Sequence, residues 1–385
     1  MNGFRYISTA LTAAAVVAAW VPTASIAQQP TPTTVASGLE APRGLRFGPD
    51  GDLYIAEAGT GGTTSTAGKC KQVPGSPGGP GPYTGGTTGR ISKVDKKGKL
   101  TTVATGFASA QDAGGDLLGV ADVAFLNGTL YALVAGGGCS HGNLDNPSGI
   151  AQVNPVTGKW HLSTNLSAFV KANPTKYESP DDFEPDDTFY SLLASVDRDL
   201  LYVVAPNHGE VLSLEPGGSI SVMIDISASQ GHIVPTSIAE RDGFFFVGNL
   251  NLFPIDPQWA RVQTIATGFQ GNQDFAPGFA ADYHGYHIID SKAGFTTVVA
   301  VDFGPDGLLY VLELSDAPGF PALGVGKVLR VRPSGVIEEV VTGLSVPTGM
   351  TFGPDGQLYV SNFGAAPAGA GAIGQVLRFA ITPGE

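Results

Sequence analysis

The chain has 385 residues, of which 42% are hydrophobic, and it contains 54 glycines and 28 prolines. This composition supports a real hydrophobic core, and its glycine and proline content is typical of a turn-rich β fold rather than of a disordered chain. The formal net charge is −13, so the surface should repel phosphate backbones and anionic lipid. We therefore expect neither nucleic acid nor a membrane surface as a partner.

The N-terminal segment has the features of a secretory signal. An apolar run from Leu11 to Val21 follows Arg5, and a small-x-small cleavage site ends at Ala27. The run is too short to cross a bilayer comfortably, which favours a cleaved signal peptide. The alternative is a membrane anchor that is retained. The predicted organisation is a signal peptide (1–27), a disordered leader (28–34) and a single exported domain (35–385). Export would take the protein to the periplasm or out of the cell, and we expect it to be a monomer.

One sequence unit recurs along the exported part. The unit FGPDGDLYIAE at Phe47–Glu57 returns as FGPDGLLYVLE at Phe303–Glu313 and as FGPDGQLYVSN at Phe352–Asn362. Three weaker copies end at Val134, Asn207 and Asn249. Each copy reads as a strand, a tight turn built on Asp-Gly or an equivalent, and a second alternating strand. Such a unit cannot bury its own apolar face, so the copies must pack against each other.

The two ends of the chain indicate how the copies are arranged. Each full repeat adds a third strand, as in GKVLRV from Gly326, and a fourth, as in VIEEVVTG. The chain starts on an unpaired fourth strand near Val35 and stops after a third strand, Val376 to Ile381. Pairing these ends would remove two sheet edges. The prediction is an all-β, six-bladed β-propeller closed by its N-terminal strand. The segment from Trp259 to Asp290 does not follow the four-strand repeat clearly. It indicates either an embellished blade boundary or an irregular blade.

The chain contains two cysteines, Cys70 and Cys139. Each lies in the loop after the second strand of its repeat, in the first and second copies. Adjacent repeats in register would place these loops side by side, and export favours a disulfide between them. Two free thiols are the alternative, since no CxxC-type metal spacing is present.

A propeller places its second-to-third-strand loops and its blade-to-blade connections on one face. On that face the sequence predicts a cluster of His208, His232, Glu210 and Asp187. Two imidazoles with carboxylates can act as a general acid–base pair or bind a divalent metal. The alternative is that PNHGE and QGHIVPT are ordinary turns whose histidines bond to the backbone. The acidic run at residues 178–187 is expected to be a solvated face.

A second candidate site is a ring of oxygen ligands near the channel axis. Its predicted members end the second strands of four blades: Glu57, Asn249, Glu313 and Asn362. Carboxylate and amide oxygens from several blades suit a divalent cation such as calcium, with zinc the other candidate. The alternative is that these side chains bond to water and to neighbouring backbone. The sequence contains no GxSxG elbow and no Walker-type phosphate loop, so serine hydrolases and nucleotide binding find no support.

Several stretches together resemble the ScyD/ScyE family of bacterial proteins. The most specific are DDFEPDDTFYSLLA, APNHGEVLSLEPGGSI, QGHIVPT and VGNLNLFPI, and the likeness extends over nearly all of residues 35–381. The resemblance implies an exported six-bladed propeller without established catalytic residues. A more remote likeness is to gluconolactonase, strictosidine-synthase and virginiamycin-lyase propellers and to quinone-dependent sugar dehydrogenases. The lactonases hold a divalent cation on the axis, which implies that role for Glu57, Asn249, Glu313 and Asn362.

Two hypotheses of function follow. The first is an exported binding module that holds a small molecule, a glycan or a protein on its loop-rich rim. The second is a metal-assisted hydrolase, lactonase or lyase that uses the same rim. The fold itself does not choose between them, because propellers support both kinds of function.

Overall fold

The computed structural model describes residues 29–75, 79–179, 183–251, 253–267, 285–365, 373–382 and 384. The predicted signal peptide, 1–27, lies outside these residues. The first half of the chain forms β1 (Thr33–Leu39), β2 (Pro42–Phe47), β3 (Leu53–Glu57), β4 (Thr84–Val94), β5 (Leu100–Gln111), β6 (Leu117–Leu118), β7 (Val120–Leu126), β8 (Thr129–Val134), β9 (Gly149–Val153), β10 (Trp160–Asn165), β11 (Leu192–Ser195), β12 (Leu200–Ala205) and β13 (Glu210–Leu214). The second half forms β14 (Ile220–Asp225), β15 (Pro235–Arg241), β16 (Phe244–Asn249), β17 (Ala260–Thr267), β18 (Tyr286–Phe295), β19 (Val298–Phe303), β20 (Leu309–Glu313), β21 (Gly326–Val331), β22 (Ile337–Leu344), β23 (Gly349–Phe352), β24 (Leu358–Asn362) and β25 (Gly374–Phe379). The described helices are a 3-10 turn (Cys139–His141), α1 (Leu166–Ala172) and α2 (Ser227–Gln230).

These strands form six antiparallel sheets, which are the six blades of a β-propeller. Blade one contains β2 to β5 with β6 as a fifth strand, and blades two to five contain β7–β10, β11–β14, β15–β18 and β19–β22. Blade six contains β23, β24 and β25, and its fourth strand is β1. β1 pairs antiparallel with β25, from Thr33 opposite Arg378 to Leu39 opposite Gly374. The predicted ring closure is therefore confirmed, and the closing strand already begins at Thr33, inside the predicted leader.

The repeated GPDG-LY sequence owes its shape to one turn. Gly51 has a φ of 75°, a conformation that glycine adopts without steric cost. The Asp50 carboxylate accepts the backbone N–H of Asp52 through Oδ1 at 3.1 Å and the hydroxyl of Tyr54 through Oδ2 at 2.9 Å. The same two bonds recur at Asp306 in blade five and at Asp355 in blade six. The turn and its tyrosine explain why this motif can be recognised in the sequence.

The hydrophobic core lies between blades. Tyr54 and Phe107 of blade one, for example, pack in one cluster with Val123, Leu130 and Ala132 of blade two. Each blade thus buries the face that its own four strands leave open, as the repeat pattern requires. The first strand of every blade lies innermost and lines the axial channel.

The described parts of the segment from Trp259 to Asp290 belong to blade four. β17 and β18 pair with each other and extend the β15–β16 hairpin, so ARVQTIAT is an ordinary third strand. Both strands lie inside a four-stranded blade rather than at a blade boundary, and residues 268–284 lie outside the described residues. The segment lacks the Gly-x-Val-Leu signature of the other third strands, which is why its strand was not recognised.

Cys70 and Cys139 form a disulfide bond, and the alternative of two free thiols is wrong. The bond joins the second-to-third-strand loops of blades one and two, as the repeat register predicts. A disulfide is typical of an oxidising compartment. Among the described residues, no helix has the length and apolar character that a membrane crossing requires.

Candidate functional site

The long connection between blades two and three contacts several other blades on one face of the propeller. We call the described residues of this connection, 173–179 and 183–191, the acidic connection. We call the face that carries the second-to-third-strand loops the loop face. The acidic connection bonds to four other blade elements: Tyr83 and His141 bond to Glu184, His208 bonds to Asp187, and Tyr190 donates to the carbonyl of Thr348. It therefore spans the loop face from blade one to blade three and reaches blade six.

Asp187 and His208 form a buried pair within this network. The Asp187 carboxylate lies 2.6 Å from Nδ1 of His208 and also accepts the backbone N–H groups of His208 and Thr188. Asp187 has no exposed surface, and His208 is 1% exposed. Burial alone would lower the pKa of His208, but the hydrogen bond and charge of Asp187, with the charge of Glu210, outweigh burial and raise it. The contact with Asp187 therefore favours the protonated form of the His208 ring.

Glu210 lies beside this pair as a neutral acid. Its carboxyl group is 3% exposed, it pairs in register with Asp225, and its Oε2 has no hydrogen-bond partner among the described residues. Burial raises the pKa of Glu210 to about 8, against the opposing charge of His208, and the charges of Asp225 and Asp187 add to the increase. The structure thus brings together three of the four predicted residues. No described contact joins His232, in the connection before β15, to the other three.

Replacing Glu210 by Gln is expected to stabilise the protein at pH 8 and not at pH 4. The folded-state pKa is raised above the ordinary 4.5, so the unfolded chain loses a proton that the folded protein keeps as the pH rises. The free energy of unfolding therefore falls between about pH 4.5 and pH 8, on the order of a few kcal/mol. Denaturant unfolding at both pH values measures the difference.

The matched control is Glu215→Gln, which changes an exposed glutamate on the turn that follows β13 and should alter stability by less than about 0.5 kcal/mol. If Glu210→Gln destabilised the protein equally at pH 4 and at pH 8, the side chain would be an ionised, bonded carboxylate and this assignment would be wrong.

The expectation of a solvated face is wrong for Glu184, Asp186 and Asp187, which are buried, and it holds for Glu178, which is exposed. Nε2 of His141 lies 2.9 Å from Glu184, while Nδ1 lies 2.8 Å from the carbonyl oxygen of Gly137. Both partners accept hydrogen bonds, so the ring carries both protons. Its pKa is raised because the bond and charge of Glu184 outweigh burial. Asp186 accepts bonds from Ser140 and Lys171 in the same way. Each of these carboxylates is thus matched to a donor on another segment.

The four predicted metal ligands serve their own blades. The Glu57 carboxylate accepts the backbone N–H of Glu40 at 2.7 Å and the guanidinium of Arg90 at 2.7 Å. Glu313 accepts the N–H of Thr296 at 2.7 Å, and Asn362 accepts that of Ser345 at 2.8 Å. Asn249 bonds to Ile233 and Arg261. All four tie the end of a second strand to neighbouring backbone, mostly where the chain enters the blade.

The four residues lie in blades one, four, five and six. Within the described part of the chain, no three His, Cys, Asp or Glu side chains form a group able to hold a metal ion. Oε2 of Glu313 is buried with no hydrogen-bond partner among the described residues. The contacts of the other oxygens favour the alternative in which these side chains bond to neighbouring backbone, and the divalent cation stays a prediction.

The axial channel contains a different set of charged residues. A cavity of about 200 Å³ is lined by the first strands of all six blades. Its wall includes Arg46 from blade one, Asp122 from blade two and Asp302 from blade five. Asp122 accepts the N–H of Leu192 and so links blades two and three, and Asp302 accepts the N–H of Phe303 within blade five.

Arg46 compensates both aspartates without touching them. Burial raises the pKa of Asp122 and of Asp302, and the positive charge of Arg46 opposes that rise at both positions. Among the described residues, however, the Arg46 guanidinium forms no hydrogen bond and no ion pair within 4.0 Å. Arg46 therefore lines the cavity as a partly exposed side chain, with no hydrogen-bond acceptor among the described residues.

Sequence reasoning missed this channel site because it searched only the loops. A signal was present, since Arg46, Asp122 and Asp302 each interrupt an apolar first strand. A first strand in a propeller is covered by neighbouring blades on both sides, so a charged residue within it faces the channel. That rule selects these three positions and Glu240, which also lines the cavity. It also selects Arg43 and Arg241, which do not line it.

Comparison with known proteins confirms the fold. No family model and no curated protein matches the chain. Several solved propellers match. A glucose dehydrogenase is 12% identical, with 92% of this chain and 100% of that chain covered and a TM-score of 0.53. A luciferin-regenerating enzyme is 11% identical (92% and 95% covered, TM-score 0.52), and a gluconolactonase from Xanthomonas campestris is 11% identical (91% and 89% covered, TM-score 0.50). Identities this low show a shared six-bladed propeller fold and nothing about the reaction.

Proposed function

We propose that the protein is an exported binding propeller that holds a small polar molecule in its axial channel. The fold supports a single cavity shared by six blades, and the disulfide supports the exported state that the N-terminal sequence indicates. The motifs quoted above support placing the chain in the ScyD/ScyE family. The proposal moves the binding site from the loop-rich rim to the channel beneath it.

The observation that carries the proposal is the guanidinium of Arg46. Arg46 is partly exposed in the cavity, where its guanidinium can exchange water for the oxygens of a ligand. Arg46 lies in the cavity with no bonded protein partner among the described residues, whereas the aspartates that face it are held by backbone N–H groups. A ligand oxygen on Arg46 would supply the missing bonds.

The loop-face cluster gives less support for catalysis. A general acid or base must lie within hydrogen-bond reach of its substrate. Asp187, His208 and Glu210 are each 3% exposed or less, and Phe183 of the acidic connection packs against the His208 ring. Their contacts favour a role in holding the acidic connection against the blades. Nothing in the described residues specifically favours the metal-assisted hydrolase.

A thermal-shift screen tests the proposal. The exported protein is melted in the presence of glycine, L-alanine, sodium acetate, methylamine, D-glucose, D-gluconate or phosphate, each at about 10 mM. A compound that binds only the folded state raises the melting temperature. We expect at least one of these compounds to do so, and we expect Arg46→Met to abolish the shift.

The matched control is Arg261→Met, which makes the same change at an exposed arginine of β17 and should keep the shift. Arg46→Lys covers the case in which Arg46→Met does not fold. It keeps the charge that compensates the aspartates but loses the planar pair of donors, so binding should weaken about tenfold. A shift that survives in both Arg46 variants would contradict binding in the channel.

A further inference from the structure

We infer that Tyr190 is a gate that closes the axial channel at its loop-face end. The side chain crosses the channel from blade three to blade six, so a molecule that enters from the loop face must displace it. The inference goes beyond the proposed function, because it concerns access to the channel and does not depend on which compound binds there.

The backbone that carries the gate is anchored to two blades. The N–H of Tyr190 donates to the carbonyl of Val204 at 3.1 Å, and the N–H of Val204 donates to the carbonyl of Ser191 at 3.1 Å. These two bonds extend the pairing of β11 with β12 toward the loop face. The hydroxyl of Ser191 and the N–H of Leu192 both donate to Oδ2 of Asp122, at 3.3 Å and 2.8 Å. The root of the gate is therefore bonded to blades two and three.

The Tyr190 hydroxyl reaches the opposite side of the ring. It donates to the carbonyl oxygen of Thr348 at 3.0 Å. Thr348 precedes β23, the first strand of blade six, and its own hydroxyl donates to the carbonyl of Pro42 in blade one at 2.6 Å. The first strands contact each other in chain order around the ring, from β2 through β7, β11, β15 and β19 to β23 and back to β2. Blades three and six therefore lie opposite each other, and the tyrosine spans the axis.

The packing of the aromatic ring agrees with this path. The Tyr190 ring packs against the hydrophobic cluster of blades five and six, although its backbone belongs to the entrance of blade three. That cluster contains Val299, Ala300 and Met350, which also line the cavity. Tyr190 and Thr348 are themselves part of the cavity wall. The gate thus lies within the channel and closes it by contact with the far wall.

The gate and Arg46 lie at different levels of the channel. Tyr190 and Thr348 precede the first strands of their blades, so they lie at the loop-face end. Arg46 is the second-last residue of β2 and lies toward the other end. The acidic connection is held just before Tyr190 by the contact of Asp187 with His208. Opening therefore requires rotation of the tyrosine side chain and loss of one hydrogen bond, while the connection stays in place.

A cysteine placed in the channel measures access without a known ligand. Both native cysteines are in the disulfide, so Ala300→Cys introduces the only free thiol, in the cavity wall at a position that is 9% exposed. Mass spectrometry follows its modification by methyl methanethiosulfonate, a small neutral reagent. We expect Tyr190→Ala to raise the rate at least about tenfold, because it removes both the ring and its hydrogen bond. Tyr190→Phe loses only the hydrogen bond and should raise the rate about fivefold.

The matched control is Tyr177→Ala, which makes the same change at an exposed tyrosine of the acidic connection and should leave the rate unchanged. Tyr190→Phe keeps the ring and covers the case in which Tyr190→Ala does not fold. Ala239→Cys places the thiol in the cavity wall of blade four, at a position that is 7% exposed, and repeats the measurement if Ala300→Cys does not fold.

Equal rates with and without the Tyr190 substitutions would show that the reagent enters by another route, and the gate assignment would be wrong. An equal increase in Tyr177→Ala would also contradict it, because the acidic connection as a whole would then control access. Either result leaves the proposed function standing, since a thermal shift that depends on Arg46 does not require entry past Tyr190. Faster labelling in the Tyr190 variants would support the gate even if no ligand of Arg46 were found.

Discussion

Deleting residues 33–39 is expected to abolish the cooperative unfolding of the propeller or to lower its melting temperature by more than about 10 °C. These residues are β1, the strand that completes blade six by pairing with β25. Without them the β25 edge is open, Ala36 and Leu39 no longer cover the end of the core, and the ring is not closed. Five paired positions at about 1 kcal/mol per hydrogen bond, with the buried leucine, give about 5 kcal/mol or more. Differential scanning calorimetry measures the change.

The control is a deletion of residues 28–32, which precede the strand. That deletion should shift the melting temperature by no more than about 1–2 °C, since surface changes of this kind rarely exceed ±0.5 kcal/mol. Cooperative unfolding at an unchanged temperature after loss of residues 33–39 would show that the ring is closed by something other than β1.

Replacing both Cys70 and Cys139 by serine is expected to lower the free energy of unfolding by about 4 kcal/mol. The bond closes a loop with a sequence separation of 69 residues, and the chain-entropy model gives that magnitude for a loop of this length. In the folded protein Cys139 adjoins Ser140 and His141, which bond to the acidic connection. Loss of the disulfide should therefore also loosen the connection. Urea unfolding of the variant and of the wild type measures the loss.

A reductant provides the control for the serine replacements. Dithiothreitol should destabilise the wild type by the same amount and leave the double-serine variant unchanged. A loss below about 1 kcal/mol in the double-serine variant would mean that the two loops hold each other in place without the covalent bond.

Much of the fold could be predicted from the sequence because its signals are local. The Asp-Gly turn with its tyrosine makes each hairpin visible, and the offset between the ends near Val35 and Ile381 predicts the closing strand. β17 was not recognised because its sequence, ARVQTIAT, carries neither that turn nor the usual third-strand pattern. Its identity as a strand is set by pairing with β16 and β18, and that pairing is not visible in the segment itself.

The site was predicted less well because burial is a property of the whole fold. A propeller places its second-to-third-strand loops and its blade-to-blade connections on one face. From this rule the sequence correctly predicted that Asp187, His208 and Glu210 lie together. It could not show that these three side chains are buried, because their burial depends on how the acidic connection packs against the blades. The same rule considers only loops, so it did not select Arg46, which lies in a strand. The position of Arg46 in the channel follows only from the arrangement of all six first strands.

The most direct test of channel binding is an electron-density map from crystals grown with the compound that gives the largest thermal shift. We expect density for that compound inside the ring of first strands, with an oxygen within about 3 Å of the Arg46 guanidinium. Density on the loop face against His208 and Asp187, with only water beside Arg46, would contradict the account.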